Sequence, residues 1–222
     1  AHKGRETFYQ GEIAQAMVAF SQAYDGLLTE KDLLDYQANW VDPIHTTYRG
    51  YDVYEMPPNS SGHILLQELN IVEHFDLQSM GCNTTESVHL MVEAKRLSFA
   101  DREKYVADPA WVDIPLEGML SKAYAAQQAE RIDPGQMLTE LVAGMPEQFE
   151  DTTCFCVADQ WGNAVCVLQS IQSGFGSSLV AGDTGILLIY RMSSWHLEGD
   201  HPNCRRPGKR VRHTMNPVII LK

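Results

Sequence analysis

The hydrophobic period changes at residue 152, and that change limits the chain to folds that mix helices with antiparallel sheet. Upstream, Phe8, Ile13, Ala16, Met17, Phe20 and Tyr24 recur at helical spacing and predict one helix over residues 6–24, with Gly26 as its stop. Downstream, Asp151-Thr152-Thr153-Cys154-Phe155-Cys156-Val157 opens a β-branched, alternating pattern. Residues 152–158 and 164–171 read as two strands. Asp159-Gln160-Trp161-Gly162-Asn163 joins them, a turn rich in residues that tolerate positive φ. The expected class is α+β, with residues 1–151 mostly helical and 152–222 β-rich.

Other signals fill in this outline. Thr29-Glu30-Lys31-Asp32 has the form of a helix cap, because the Thr hydroxyl can satisfy free amides of the next turn. Residues 44–56 alternate about Arg49-Gly50 and predict a strand pair. Asn59-Ser60-Ser61-Gly62 opens a helix carrying Ile64, Leu65, Leu69 and Val72, either as a plain N-cap or as a cradle of amides for an anion. Thr84-Thr85-Glu86 caps a long helix whose Val88, Val92, Leu97 and Phe99 are core candidates. His89 and Glu93 lie one turn apart on it, too few ligands for a metal. A last helix carries Ala123, Tyr124 and Ala129, a tight loop covers residues 174–178, and further strands are expected at 185–190 and 218–221.

Charge narrows the partners. With 29 acidic against 17 basic side chains, the net charge of -12 disfavours nucleic acid and anionic membrane. No apolar run approaches the ~18 residues that suggest a membrane span. The five cysteines, Cys82, Cys154, Cys156, Cys166 and Cys204, include no CxxC pair, so buried, reduced thiols are expected. Ala1-His2-Lys3-Gly4 runs almost directly into a helical pattern and reads as an internal cut of a longer protein.

The junction at Asp151-Thr152 has a chemical reading beside the structural one. A Thr hydroxyl is a weak nucleophile at neutral pH, and one compact base for it is the α-amine of the same residue once that residue begins a chain. Residues 133–151, with two Pro and two Gly, provide an approach loop that lets the hydroxyl attack its own preceding carbonyl. The alternative is a simple strand start.

The residues resemble the gamma-glutamyltranspeptidase family of N-terminal nucleophile hydrolases, which includes cephalosporin-acylase-like members. The likeness spans nearly the whole chain. It rests on Phe8-Tyr9-Gln10-Gly11-Glu12-Ile13-Ala14, Tyr48-Arg49-Gly50-Tyr51, Pro57-Pro58-Asn59-Ser60-Ser61-Gly62 and Glu93-Ala94-Lys95-Arg96. It continues through Ala100-Asp101-Arg102, Thr152-Thr153, Gly162-Asn163-Ala164-Val165, Phe175-Gly176-Ser177, Gly185-Ile186-Leu187-Leu188 and Pro207-Gly208-Lys209-Arg210 with Thr214-Met215.

The resemblance implies a four-layer αββα fold, part of which lies in these 222 residues. It also implies a precursor that cleaves itself between Asp151 and Thr152, so that 1–151 ends a large subunit and 152–222 starts a small one. Thr152 is then nucleophile and base, Thr153 completes the double Thr, and Ser170 supplies a hydroxyl beside the nucleophile. The implied substrate is a small γ-glutamyl or related acyl amide such as a glutathione-like compound, with no cofactor and no metal. Many members are periplasmic or secreted, with the cytoplasm as the other compartment. An Arg and a Gly-Gly oxyanion pair belong to parts of the family pattern outside these residues.

Some substrate positions follow the acylase-like branch instead. Gln172 occupies a donor-binding polar position. Arg191 and Ser194 stand where transpeptidases carry Gln or Glu and an Asp for the substrate amine, and His213-Thr214 replaces a Ser-Ser pair for the α-carboxylate. Ile189-Tyr190 replaces Asn-Asn, and Cys154 and Cys156 replace polar residues on the nucleophile strand. An Arg at 191 suits a carboxylate better than an ammonium.

Overall fold

A computed structural model describes residues 4–138 and 151–222, with only the backbone of Asp151 and Thr152. The expected approach loop at 133–151 lies mostly outside the described residues. Two compact units form. Of the described residues, the first holds 4–41, 151–152 and 170–191, and the second holds 42–138, 153–169 and 192–222.

In the first unit the expected helix over 6–24 is two helices, α1 (Gly4–Tyr9) and α2 (Glu12–Ala23). Gly11 breaks them with extended dihedrals of φ -99 and ψ -153, as a residue with little helix propensity does where no packing opposes it. Gly26 ends this region as expected. Its amide donates to the Ser21 carbonyl at 2.7 Å, and a Cβ there would stand 2.8 Å from that oxygen. Thr29 caps α3 (Glu30–Leu34), with Asp32 completing the capping box.

Ala14, Met17, Val18 and Leu33 form the core of this unit together with Ala181. Ala181 starts a 3-10 turn at Gly182–Thr184 that packs on α2. The strand expected at 185–190 is not formed. Its segment folds back through Ala181 N–H to Ile186 O (2.9 Å) and Leu188 N–H to Leu179 O (2.9 Å), leaving one isolated bridge between Val180 and Leu187. Left-handed Gly182 and Gly185 turn the chain too sharply for a ladder to extend.

The second unit contains β1 (Ile44–Tyr48) and β2 (Tyr51–Glu55), joined through left-handed Arg49 and Gly50 as the strand-pair reading expects. Then come α4 (Gly62–Val72), α5 (Leu77–Met80), α6 (Thr85–Tyr105), α7 (Leu116–Leu120) and α8 (Lys122–Ala129). The hairpin of β3 (Asp151–Ala158) and β4 (Ala164–Gln172) has its strand ends, 151–152 and 170–172, in the first unit. The last strand, β5 (Ile219–Leu221), pairs antiparallel with β2 and gives the sheet order β1-β2-β5.

Helix α4 is the hub of this unit, packing on the sheet, α6, α7 and α8. Ile71 and Val72 join Leu90, Ala94, Leu97, Ala125, Ala129 and Ile132 in one core. Burying the Ile, Val and Leu side chains among these contributes roughly 1.5–3 kcal/mol each. Val88 and Val92, expected in the core, are exposed, because the inward face of α6 is the adjacent row Leu90, Ala94 and Leu97. Glu93 on the same helix is buried and is held by Arg96 at 2.6 Å and the Leu138 amide at 3.2 Å. No helix among the described residues is long and apolar enough to cross a membrane.

Glu55 closes β2 in a buried position, where burial pushes its carboxyl up to about 7 from an ordinary 4.5. Its contribution to stability is therefore present below pH 4.5 and is lost as the pH rises to about 7. The loss is at most about 3 kcal/mol. Denaturant midpoints at pH 5 and pH 8 will show a smaller fall for Glu55→Gln than for the natural chain.

Candidate active site

The hairpin that carries the Asp151-Thr152 junction is closed by its own turn. Asp159 N–H donates to Asn163 O at 3.0 Å, and the Asp159 carboxylate accepts the amides of Trp161 and Asn163 at 2.9 Å each. The Asn163 side chain, which also donates to it, leads the interactions that hold this carboxyl below its usual range. Thr152 is the second residue of β3, and Thr153, the third, is exposed.

In the first unit, the far end of β4 brings three of the expected site residues together. Ser170 Oγ accepts the Gln172 amide at 2.9 Å, in a bend where Gln172 has φ 77 and is buried. Tyr190 N–H donates to Ile171 O at 3.1 Å, so Gln172 and Arg191 each directly follow one member of a hydrogen-bonded pair. Arg191 is 4% exposed and begins the 3-10 turn Arg191–Ser194. The loop after β4 supports this arrangement: Ser177 donates to Leu188 O through both its amide (2.8 Å) and its hydroxyl (3.0 Å).

In the second unit, Ser194, His213 and Thr214 are set by residues that sequence reasoning did not single out. Fully buried Asn203 donates to Ser194 O at 2.8 Å and accepts the Arg212 amide at 3.0 Å. One side chain thus ties Ser194 to the residue before His213. Arg212 reaches α6, where it donates to both oxygens of Glu103 at 2.9 Å and to Arg102 O at 3.2 Å. Burial raises the Glu103 carboxyl, but Arg212 and Arg102 outweigh it and hold the group below its usual range. Arg210 grips Asp108 in the same way, through amide and guanidinium at 2.8 Å each. Arg102 and Arg210 stand in motifs that carry the family resemblance, whereas for Asn203 and Arg212 the sequence offers only a polar stretch without helical or strand periodicity.

The Pro57–Gly62 loop has a role that differs from both sequence readings. Ser61 occupies the N-cap of α4 without a capping hydrogen bond, because its hydroxyl donates to His213 O at 2.6 Å. Ser60 Oγ donates to Met215 O, Asn59 Nδ2 to Val211 O at 2.6 Å, and His213 N–H to Asn59 O at 2.7 Å. The loop therefore holds residues 211–215 by their backbone, leaving His213 half-buried and Thr214 exposed. Gly62 lets the start of α4 lie against the end of β2, since a Cβ there would stand 2.5 Å from Met56 O. His63, the next residue, is fully buried; burial, then Arg102 and Arg212, lower its pKa to about 3 and keep the ring neutral.

These features define an α+β chain with a Thr at the start of a strand and polar loops held by partly buried ion pairs. The gamma-glutamyltranspeptidase family profile matches residues 1–222, and the chain belongs to that family. It is 41% identical over its whole length to the glutathione hydrolase-like YwrD proenzyme of Bacillus subtilis strain 168, covering 42% of that protein. It is 37% identical to the glutathione hydrolase proenzyme of Escherichia coli strain K12, again over all of this chain and 41% of the relative. The crystal structure of cephalosporin acylase from Bacillus halodurans superposes with a TM-score of 0.86 at 38% identity, over 98% of this chain and 39% of that one. The fold is thus that of the N-terminal nucleophile hydrolases, in part. The chain spans about two fifths of the length of the curated relatives it matches.

Asn203→Ala will remove the acceptor of the buried Arg212 amide and one donor to the half-buried Ser194 carbonyl, and an unsatisfied buried group costs about 1–3 kcal/mol. The expected outcome is a lower denaturant midpoint with an unchanged slope, read by equilibrium unfolding.

Proposed function

We propose that this chain is part of an autoprocessing amidohydrolase or acyltransferase in which Thr152 is the nucleophile toward a γ-glutamyl or related acyl amide. The observation that carries the reading is the position of Asp151-Thr152 at the start of a strand whose partner carries Ser170 near its end. Continued back from the Asp159–Asn163 closure without a bulge, an antiparallel ladder sets residue 152 across from residue 170. Family membership over the whole chain supports the same roles.

In this reading the Thr152 hydroxyl first attacks the Asp151 carbonyl and the Asp151–Thr152 C–N bond breaks, which leaves an ester and a free Thr152 α-amine; water then opens the ester, releasing the Asp151 carboxylate and the Thr152 hydroxyl. That amine then takes the hydroxyl proton as the oxygen attacks the substrate amide. The proton passes to the departing amine, and the acyl ester is resolved by water or by an acceptor amine. Thr153 and Ser170 support the nucleophile, Gln172 and Arg191 contact the acyl group, and Ser194, His213 and Thr214 complete its recognition. Residues 1–151 and 152–222 would then belong to the large and small subunits of one precursor.

A second reading is favoured by Arg191. A buried guanidinium where transpeptidases carry Gln or Glu, with Ser194 in place of Asp, suits an acyl group ending in a carboxylate without an α-amine. That describes an acylase-like enzyme acting on a glutaryl-type amide.

Intact mass and N-terminal sequencing test the core claim. A new chain beginning at Thr152 is expected, with neither cleavage nor turnover in Thr152→Ala, a loss of at least ~10³-fold in kcat/KM. Self-cleavage by Thr152→Ala would overturn the assignment, as would an unbroken natural precursor. Release from a γ-glutamyl anilide against a glutaryl anilide separates the two substrate readings. Turnover of only the second selects the acylase.

A further inference from the structure

Three of the five thiols meet on one face of the β3–β4 hairpin. Cys154 and Cys156 are alternate residues of β3, so both project from the same side, and Cys166 comes from β4. Cys154 Sγ lies 3.8 Å from Cys166 Sγ, and all three sulfurs lie within 4.8 Å of one another. Cys154 and Cys156 are exposed and Cys166 half-buried, contrary to the buried thiols expected from sequence. Cys82 and Cys204 stand apart from this group.

We propose that Cys154, Cys156 and Cys166 form a three-thiolate site for a soft, thiophilic cation of the Zn²⁺ class, with its fourth position open. The spacing fits. A tetrahedral zinc with Zn–S bonds of ~2.3 Å has sulfur–sulfur edges of ~3.8 Å, the separation already present between Cys154 and Cys166. The third thiol needs only a side-chain adjustment, since its sulfur is at most 4.8 Å from the others. Binding displaces one proton from each thiol that becomes a thiolate, with no change in oxidation state.

Two comparisons favour this reading. Disulfide formation would use two of the three thiols and leave the third unpaired, whereas one tetrahedral cation takes all three. The other metal-like group in the described residues, Glu103 with His196 and His201, is already committed. Both Glu103 oxygens accept from Arg212, and His201 Nδ1 accepts the Asn203 amide, leaving the hydrogen of the neutral ring on the Nε2 that faces Glu103.

The site is independent of the catalytic reading and is tested on the purified, metal-free chain under reducing conditions. Titration with Co²⁺ should give one equivalent of tetrahedral metal with a thiolate-to-cobalt charge-transfer band, and Zn²⁺ should displace it. Cys154→Ser, Cys156→Ser and Cys166→Ser should each weaken Zn²⁺ binding by more than the ~10–100-fold typical of losing an outer-shell partner. The double variant Cys82→Ser/Cys204→Ser should bind as the natural chain does. Absence of the band overturns the proposal, as does its dependence on Cys82 or Cys204. Titration of three rather than five free thiols in the unreduced chain, with no Co²⁺ binding after reduction, would identify a disulfide instead.

Discussion

The ion pair of buried Arg212 with half-buried Glu103 is the contact on which the loop region of the second unit depends. Both groups lose hydration, and their mutual hydrogen bonds at 2.9 Å offset that loss only because the guanidinium meets both oxygens of the carboxylate. From Arg212, Asn203 extends the hold to Ser194, and the neighbouring residues 211–215 lie under the hydroxyls of Ser60 and Ser61. A stretch without regular secondary structure is thereby fixed to α6 and to the start of α4. Several of its backbone groups, Ser194 O, Val211 O, Arg212 N–H, His213 O and Met215 O, are satisfied by side chains.

The first unit uses a different device for the same end. Gln172 and Arg191 are placed by backbone hydrogen bonds, through Ser170 and the Ile171–Tyr190 pair, after a bend that puts Gln172 at positive φ. A non-glycine residue in that region is costly and persists where the surroundings over-determine it. Loops carried on a fixed scaffold in this way are a common setting for binding chemistry. In the proposed function these two positions contact the acyl group, and the charge of Arg191 is what favours the acylase-like alternative.

The hairpin links these themes. Its turn is specified locally by Asp159, Gly162 and Asn163, and its strands bring the start of β3 and the end of β4 into one neighbourhood. The same register gathers three cysteines whose spacing in sequence follows no metal-binding pattern.

Local structure was legible wherever one residue type dictates one backbone event. The Thr29 and Thr84 caps, the Arg49-Gly50 turn and the Asp159–Asn163 turn depend on short-range hydrogen bonds and dihedral limits that a few adjacent residues determine. The α+β class followed from the change of hydrophobic period at residue 152, and the family followed from ordered motifs along the chain. What tertiary structure alone decided was which partner a side chain takes. Ser61 left its cap for His213, the inward face of α6 shifted from Val88 and Val92 to Leu90 and Ala94, residues 185–190 folded back rather than pairing in a sheet, and Asn203 became the tie between Ser194 and Arg212. These outcomes join residues far apart in the chain. Sequence determined the elements and the chemistry on them; packing decided which of those groups meet, because burial and hydrogen-bond satisfaction are settled only once distant segments compete for the same partners.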